Sequence, residues 1–294
     1  MQRITFHCET VTPMFLAGAD GKTPELRAPS LKGMLRFWWR AIQVENIEEL
    51  KRDEAAIFGS SDESVGRSKF RLLMKGEFEQ VKVQPLPHHT GDRFCPHLPK
   101  CGSKNDPNRC SRGYKNLAIK ADNAFQIITD ADKSPHNLFV LASILGGLGK
   151  RSRRGFGSFE ITHIDNNPLP RASMESILIR LNEITDKYKI DGSKIVAKDF
   201  PDLDYPYIKS IQFGATENSY QALLKKIGET SHTHDSVYTG TTIGTRLASP
   251  INVSIIKNSN GEFLPIITLL NTVFKPGYEP KGKNLQNSFI GALL

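Results

Sequence analysis

Six side chains able to ligate a soft or borderline metal lie close together in this chain: His88, His89, Cys95, His97, Cys101 and Cys110. Zinc takes four donors at tetrahedral corners, and sets of three cysteines and one histidine are common among structural sites. The three cysteines with His89 form the best set, with His88 and His97 as rivals for the fourth position. No Cys-x-x-Cys pair is present, which weakens the signal. The stretch around them, residues 85–113, is rich in Pro, His, Cys, Gly and Asn and poor in apolar residues. A loop that long inside a compact domain is functional or is ordered by something extra. A structural zinc with four protein ligands and no open position would supply that order. The competing reading is a loop with free thiols. No catalytic cofactor is expected.

A second cluster is cationic. Residues 146–159 read GGLGKRSRRGFGSF, with five glycines and four permanent charges. Clustered cations beside a close-approaching backbone suit phosphate. The nucleotide motifs nevertheless fail. A P-loop needs Gly-Lys followed by Ser or Thr, and here Gly149-Lys150 is followed by Arg151. A dinucleotide fingerprint opens a helix after a strand, whereas this loop follows a helix. What remains is symmetric: Gly147-Leu-Gly149 and Gly155-Phe-Gly157 flank a tip carrying Lys150, Arg151, Arg153 and Arg154. The glycines are expected to anchor the loop, with Phe156 packed inward. The four cations are expected to face outward onto phosphates, which positions a strand without reading its sequence.

A third feature lies upstream. Pro29-Ser30 should open a helix with Ser30 as N-cap, making an anion site of its free N–H groups. Lys32, Arg36 and Arg40 recur every four residues and form one stripe of that helix. Trp38 and Trp39 belong to the core. The alternative for the stripe is a solvated face. Late in the chain, SHTHDSVYTG holds His232, His234, Asp235 and Tyr238. Paired histidines can cleave RNA by acid–base chemistry without metal. A polar loop after a helix is the favoured reading there.

The elements that must hold these residues follow from periodicity. Residues 2–11 alternate around Ile4, Phe6 and Cys8 and read as a strand rather than as a signal peptide. The Ser30 helix comes next, then a strand over SKFRLLMKGEF. After the excursion a returning strand covers LAIKADNAFQIITD. HNLFVLASILGGL is an apolar helix, and GSFEITHI closes as a strand. The order β-α-β-β-α-β is that of a ferredoxin-like, RRM-like domain. It predicts an α+β chain with an N-terminal ferredoxin-like domain over 1–168, carrying the Cys/His insertion at 85–113 and the glycine-rich loop at 146–157. Residues 169–294 read as a second, diverged ferredoxin-like domain, with helices at MESILIRLNEITDKY and SYQALLKKIGE, a hairpin at SPINVSIIKN and FLPIITLLN, and a polar tail.

The chain has 294 residues, 38% apolar and 24% charged, with formal charge +8. That balance excludes a disordered chain and favours an anionic partner, most commonly nucleic acid. No apolar run reaches membrane-span length. A cytoplasmic location is the default.

These motifs together resemble a known family. The two gly-apolar-gly units resemble the glycine-rich loop of the RAMP superfamily, RNA-binding proteins of CRISPR systems. Ser30-Leu-Lys32-Gly33-Met-Leu-Arg36 is similar to the Ser-x-Lys-Gly-x-x-Arg opening of that family's first helix. Glu54-Ala-Ala-Ile-Phe58-Gly59-Ser60 is similar to its Glu-x-x-x-Phe-Gly-Ser segment. With Phe37-Trp38-Trp39-Arg40 and Arg246-Leu247-Ala248-Ser249-Pro250, the nearest branch is subunit one of type III-B (Cmr) effector complexes. The likeness is strong over residues 1–165 and thin afterwards. It implies a non-catalytic subunit that helps hold the guide RNA 3′ region and single-stranded target RNA at one filament end, beside other Cmr subunits. Two other readings stay open: a metal-independent endoribonuclease that processes guide RNA, and a protein scaffold that caps the filament.

Overall fold

The computed structural model describes residues 3–130, 135–241, 247–274 and 280–294, so Arg246 of the Arg-Leu-Ala-Ser-Pro run lies outside the described residues. Strand β1 (Arg3–Thr10) buries Phe6 and Cys8 and leaves alternate side chains partly exposed, as its pattern requires. Helix α1 (Ala28–Ile42) turns Leu31, Leu35, Trp38 and Trp39 into the core. It begins earlier than expected. Pro29 sits in its first turn and the N-cap is Arg27, without a side-chain cap bond. Ser30 is therefore inside the helix, because Pro29 is already compatible with the first turn.

Helix α2 (Ile47–Phe58) has no counterpart in the expected order of elements. It is capped by Asn46, whose side chain accepts from the N–H groups of Glu48 and Glu49. Strand β2 (Leu72–Lys75) follows. Strands β3 (Gln80–Val83) and β4 (Asn116–Ile119) pair with each other as a separate ribbon, from which the Cys/His insertion projects. The expected single returning strand is thus divided into β4 and β5 (Ala124–Asp130). Helix α3 (His136–Leu145) is buried from Leu138 to Leu145. Strands β6 (Phe159–Ile164) and the short β7 (Asn167–Pro168) complete a five-stranded sheet in the order β2-β5-β1-β6-β7, with antiparallel pairing throughout.

The second half opens with α4 (Met174–Asn182), held by a Ser173–Ser176 capping box. A hairpin of β8 (Tyr188–Asp191) and β9 (Lys194–Ala197) comes next, then β10 (Ile208–Phe213), α5 (Tyr220–Thr233), β11 (Ile251–Lys257), β12 (Phe263–Leu270) and α6 (Lys283–Gly291). Its sheet runs β11-β12-β10-β9-β8, also antiparallel. The β8–β9 hairpin and α6 were missed in the sequence. Their apolar residues are few, yet Tyr188, Ile195 and Phe289 are fully buried. Over residues 280–294 the expected polar tail is instead α6, because Phe289 and Leu293 reach the core.

One apolar core runs from Phe6 and Trp38 through α3 to Ile177, Tyr188, Ile211 and Ile266, and so spans both halves. A smaller core gathers Phe15, Phe156, Leu224, Ile227, Val253 and Phe289. Burial on all sides explains why α3 shows an apolar run and no polar stripe. Ser254 in β11 donates to the Ile144 carbonyl near the end of α3, at 2.6 Å. The glycine-rich loop leaves α3 at this seam.

Candidate metal centre and nucleic-acid interface

The insertion brings the expected metal set together. His89, Cys95, Cys101 and Cys110 are all buried, with donor atoms within 4.8 Å of one another. Cys95 Sγ lies 3.4 Å from Cys101 Sγ and 3.5 Å from His89 Nδ1, and Cys110 Sγ lies 3.5 Å from the same nitrogen. A tetrahedron with Zn–S of about 2.3 Å and Zn–N of about 2.0 Å has edges of roughly 3.5–3.8 Å. The donors present therefore fit a zinc ion. Burial and the two neighbouring thiols push Cys101 up to about 12. Burial acts to raise Cys95 as well, but the N–H groups of His97 and Thr90 and the adjacent thiols outweigh it and bring that thiol down. Three thiols in one buried cluster without disulfides are a poor hydrophobic core and a good thiolate cage.

The rival histidines are close by. His88, His97 and His232 gather around His89, with ring centroids 4.4 Å apart for His88–His89 and 4.2 Å for His97–His232. Burial, aided by the neighbouring imidazoles, brings His88 down to about 3 and His89 down to about 4. His232 is lowered for the same reasons. This separates the two histidines considered for acid–base cleavage. His232 lies in the last turn of α5 and faces the insertion. His234 caps that helix, with Nδ1 2.9 Å from the Thr230 carbonyl. They do not form a pair.

The glycine-rich loop closes on itself and on both halves. The Leu148 N–H donates to the Gly157 carbonyl at 2.9 Å, which joins the two gly-apolar-gly units. Leu148 and Phe156 are both buried. Gly157 has φ +68°, and a Cβ there would sit inside the Leu148 carbonyl oxygen. Gly149 has φ +89° and lies against the Phe15 carbonyl in the same way. These glycines are required by sterics.

The tip does not project its arginines outward. Arg154 donates from Nη1 to Ser249 Oγ at 3.1 Å and to the Ile251 carbonyl at 3.0 Å, and from Nη2 to the Thr239 carbonyl at 2.6 Å. Its guanidinium also lies over the Phe289 ring. Burial, with Arg151 and Arg153 nearby, draws it down to about 10. Arg153 donates to the Ser249 carbonyl at 2.6 Å and stacks on Phe37. Arg154 is thus a bolt between the loop and the second half, and Arg153 is partly so. The acceptors come from a segment about a hundred residues away, which local sequence does not display. Arg151 takes a left-handed backbone, φ +63°. Lys150 is exposed, its Nζ 3.2 Å from the Gly21 carbonyl.

The α1 stripe is also modified. Arg36 Nε lies 2.6 Å from Glu54 Oε1, and Arg40 Nη1 lies 3.0 Å from the same atom. Glu54 is buried. Arg36 and Arg40 thus tie α1 to α2 and are not free cations. Lys32 is partly exposed and forms no salt bridge among the described residues; burial and the Arg36 charge lower it. Ser30, Gly147, Gly149, Ser152 and Arg153 line one groove of about 230 Å³, so the helix start and the loop meet there.

Sequence comparison places residues 7–160, just over half of the chain, in the family described as the RAMP superfamily. The chain is 30% identical over 184 residues to the CRISPR system Cmr subunit Cmr1-2 of Pyrococcus furiosus, covering 55% of this chain and 96% of that one. It is 26% identical over 202 residues to subunit Cmr1-1 of the same organism, covering 63% of this chain and 55% of that relative. In fold it is similar to the crystal structure of apo Cmr1 from Pyrococcus furiosus, with TM-score 0.64, 18% identity, and coverage of 100% and 97%. It is also similar to a chain in a cryo-EM structure of the type III-B Cmr-beta bound to cognate target RNA, with TM-score 0.57, 12% identity, and 99% of each chain covered. The motif residues, the antiparallel α+β architecture and these likenesses converge, and the chain belongs to the RAMP superfamily as a Cmr1-like protein of type III-B Cmr systems.

Proposed function

We propose that the chain is a non-catalytic RNA-binding subunit of a type III-B effector complex, holding the guide 3′ region and target RNA among the other Cmr subunits. The observation that carries this reading is the groove between α1 and the glycine-rich loop. Two motifs over a hundred residues apart meet there, with Ser30 on one wall and Gly147, Gly149 and Arg153 on the other. Lys150, exposed beside Gly149 at the loop tip, brings charge to a strand there, whereas Lys32 lies on the α1 stripe of Arg36, away from the groove-lining Ser30 and Met34, and meets a strand outside the groove. Side-chain-free glycine backbone lets a phosphodiester chain approach closely, and lysines supply charge without base readout. A relative in fold is a chain of a type III-B Cmr-beta structure bound to cognate target RNA.

The strand order β2-β5-β1-β6 with α1 and α3 supports a ferredoxin-like first domain over residues 1–168. In residues 169–294, β11-β12-β10 follows the same order, and β9 takes the fourth place although it precedes the others in sequence. That supports a diverged, permuted copy. The insertion is ordered by a structural zinc on His89, Cys95, Cys101 and Cys110, which fixes the loop and carries no reaction. A cytoplasmic setting keeps those thiols reduced.

Labelled single-stranded RNA titrated over a salt series tests this. Steep salt-dependent binding without strand cleavage is expected, with Lys32→Glu and Lys150→Glu each weakening it. Cleavage by the purified chain that vanishes in His232→Ala would establish the endoribonuclease. Binding unaltered by Lys150→Glu would refute the groove.

A further inference from the structure

A second cavity of about 850 Å³ lies between the insertion, α5 and the tip of the glycine-rich loop. Its charge is one-sided. Lys100, Arg112, Arg151, Arg153 and Arg154 line it, against the single carboxylate of Asp235 among the described lining residues. None of the five cations forms a salt bridge among the described residues. Arg151, the residue in the left-handed region, has its Nε buried without a hydrogen-bond partner. A non-glycine residue held in that region marks a position the surrounding structure over-determines. His88, His89 and His232 form another wall.

Three clustered imidazoles also fit a metal cation, and their ring nitrogens lie within 4.8 Å of one another. Charge decides between the two. A zinc on three thiolates and one imidazole carries a net charge of about −1. Adding Asp235 leaves the cavity with five positive charges against two negative. A further divalent cation would be repelled there, whereas an anion would be drawn in. Imidazole N–H groups donate to an anion in either protonation state.

Arg153 lines both this cavity and the α1 groove, so the loop tip is the wall between them. A strand running from the groove to the cavity would cross the loop tip at Arg153. We propose that the cavity is a second phosphate site, which takes a backbone or terminal phosphate of the RNA strand held in the groove. This rests on the RNA-binding reading above and extends it. Lys100 and Arg112, exposed at the insertion side, make the entry, and Arg151 with His232 makes the inner wall.

The test uses the full zinc-loaded chain with Lys100→Glu and Arg112→Glu variants, and unchanged zinc content as the control for folding. Each variant should weaken single-stranded RNA binding roughly tenfold at low salt and flatten the slope of log K against log salt by about 0.7 for each phosphate no longer neutralised. Inorganic tripolyphosphate should raise the melting temperature of the wild type and not of the double variant. RNA binding weakened by Lys150→Glu but unaffected by Lys100→Glu and Arg112→Glu would overturn this site and leave the groove standing. A tripolyphosphate effect that depends on Arg112, in a chain that binds no RNA, would overturn the strand as ligand and the RNA-binding reading with it. A second zinc or nickel ion per chain, lost in His232→Gln, would overturn the anion assignment in favour of a metal.

Discussion

Arg36 Nε sits 2.6 Å from Glu54 Oε1, and the Arg36 guanidinium lies over the Phe58 ring. The arginine ends the Ser-x-Lys-Gly-x-x-Arg motif, and Glu54 and Phe58 belong to the Glu-x-x-x-Phe-Gly-Ser motif. The two family motifs are therefore two sides of one joint between α1 and α2. The joint holds the helix start at the groove wall.

That joint should behave as a coupled pair. Arg36→Ala leaves a buried carboxylate with Arg40 as its one cation among the described residues and should cost about 1–3 kcal/mol of stability. Glu54→Gln should cost a similar amount. The double variant should cost clearly less than the sum, measured by urea unfolding in a double-mutant cycle. Additive effects would show that the pair is not coupled.

The purified chain should carry one zinc per molecule. Cys101→Ser, Cys110→Ser and His89→Ala should each abolish stoichiometric binding, while His97→Ala should retain it, as read by elemental analysis. Because Cys101 is pushed up to about 12 without metal, protons compete for that thiol. Affinity should therefore fall as pH drops, and binding should release protons. Retention of zinc in all three ligand variants would refute the site.

Arg154 and Lys150 should separate stability from binding. Arg154→Ala strands several acceptors and should destabilise the fold by about 3 kcal/mol or more. Arg154→Lys should stay destabilised, because an ammonium lacks the fork that reaches Ser249, Ile251 and Thr239 together. Lys150→Glu should leave the melting temperature unchanged and lower RNA affinity. Paired thermal and RNA-binding measurements decide this.

Gly157→Ala should destabilise by about 1–3 kcal/mol, since the new methyl group must displace the Leu148 carbonyl. The φ of +68° adds strain for an L side chain. Gly33→Ala, where a Cβ meets nothing within 4 Å, serves as the comparison. It should be neutral or slightly stabilising in thermal unfolding.

His136 makes stability depend on pH. Burial holds its imidazole below the ordinary 6.5, with Asp165 opposing, and Nε2 has no hydrogen-bond partner. The unfolded chain takes up a proton near pH 6.5 that the folded chain resists. Its contribution is therefore whole above that pH and is lost as pH falls through it. Between about pH 7.5 and about pH 5.5, wild type should lose more stability than His136→Gln in urea titrations. Equal losses would exclude His136 as a source.

Local patterns made the N-terminal half legible. Alternation around Phe6 and Cys8, and the spacing of Leu31, Leu35, Trp38 and Trp39, record which face is buried. The clustering of His89, Cys95, Cys101 and Cys110 was readable as well, since three cysteines in a polar excursion have few other uses. What stayed hidden was α2, the β8–β9 hairpin and α6, whose apolar positions are sparse and whose burial depends on distant partners.

The family motifs, the glycine positions and the ligand types are written in the linear chain, because they depend on side-chain chemistry and backbone freedom at each residue. Which charges are free is settled by the fold alone. Arg36, Arg40 and Arg154 look like an outward basic surface when read along the chain. In three dimensions Glu54 and the carbonyls of residues 239–251 claim them, because a cation at a buried seam is stable only where acceptors replace its water. Lys32, Lys150, Lys100 and Arg112 are left to face solvent and carry the proposed RNA surface.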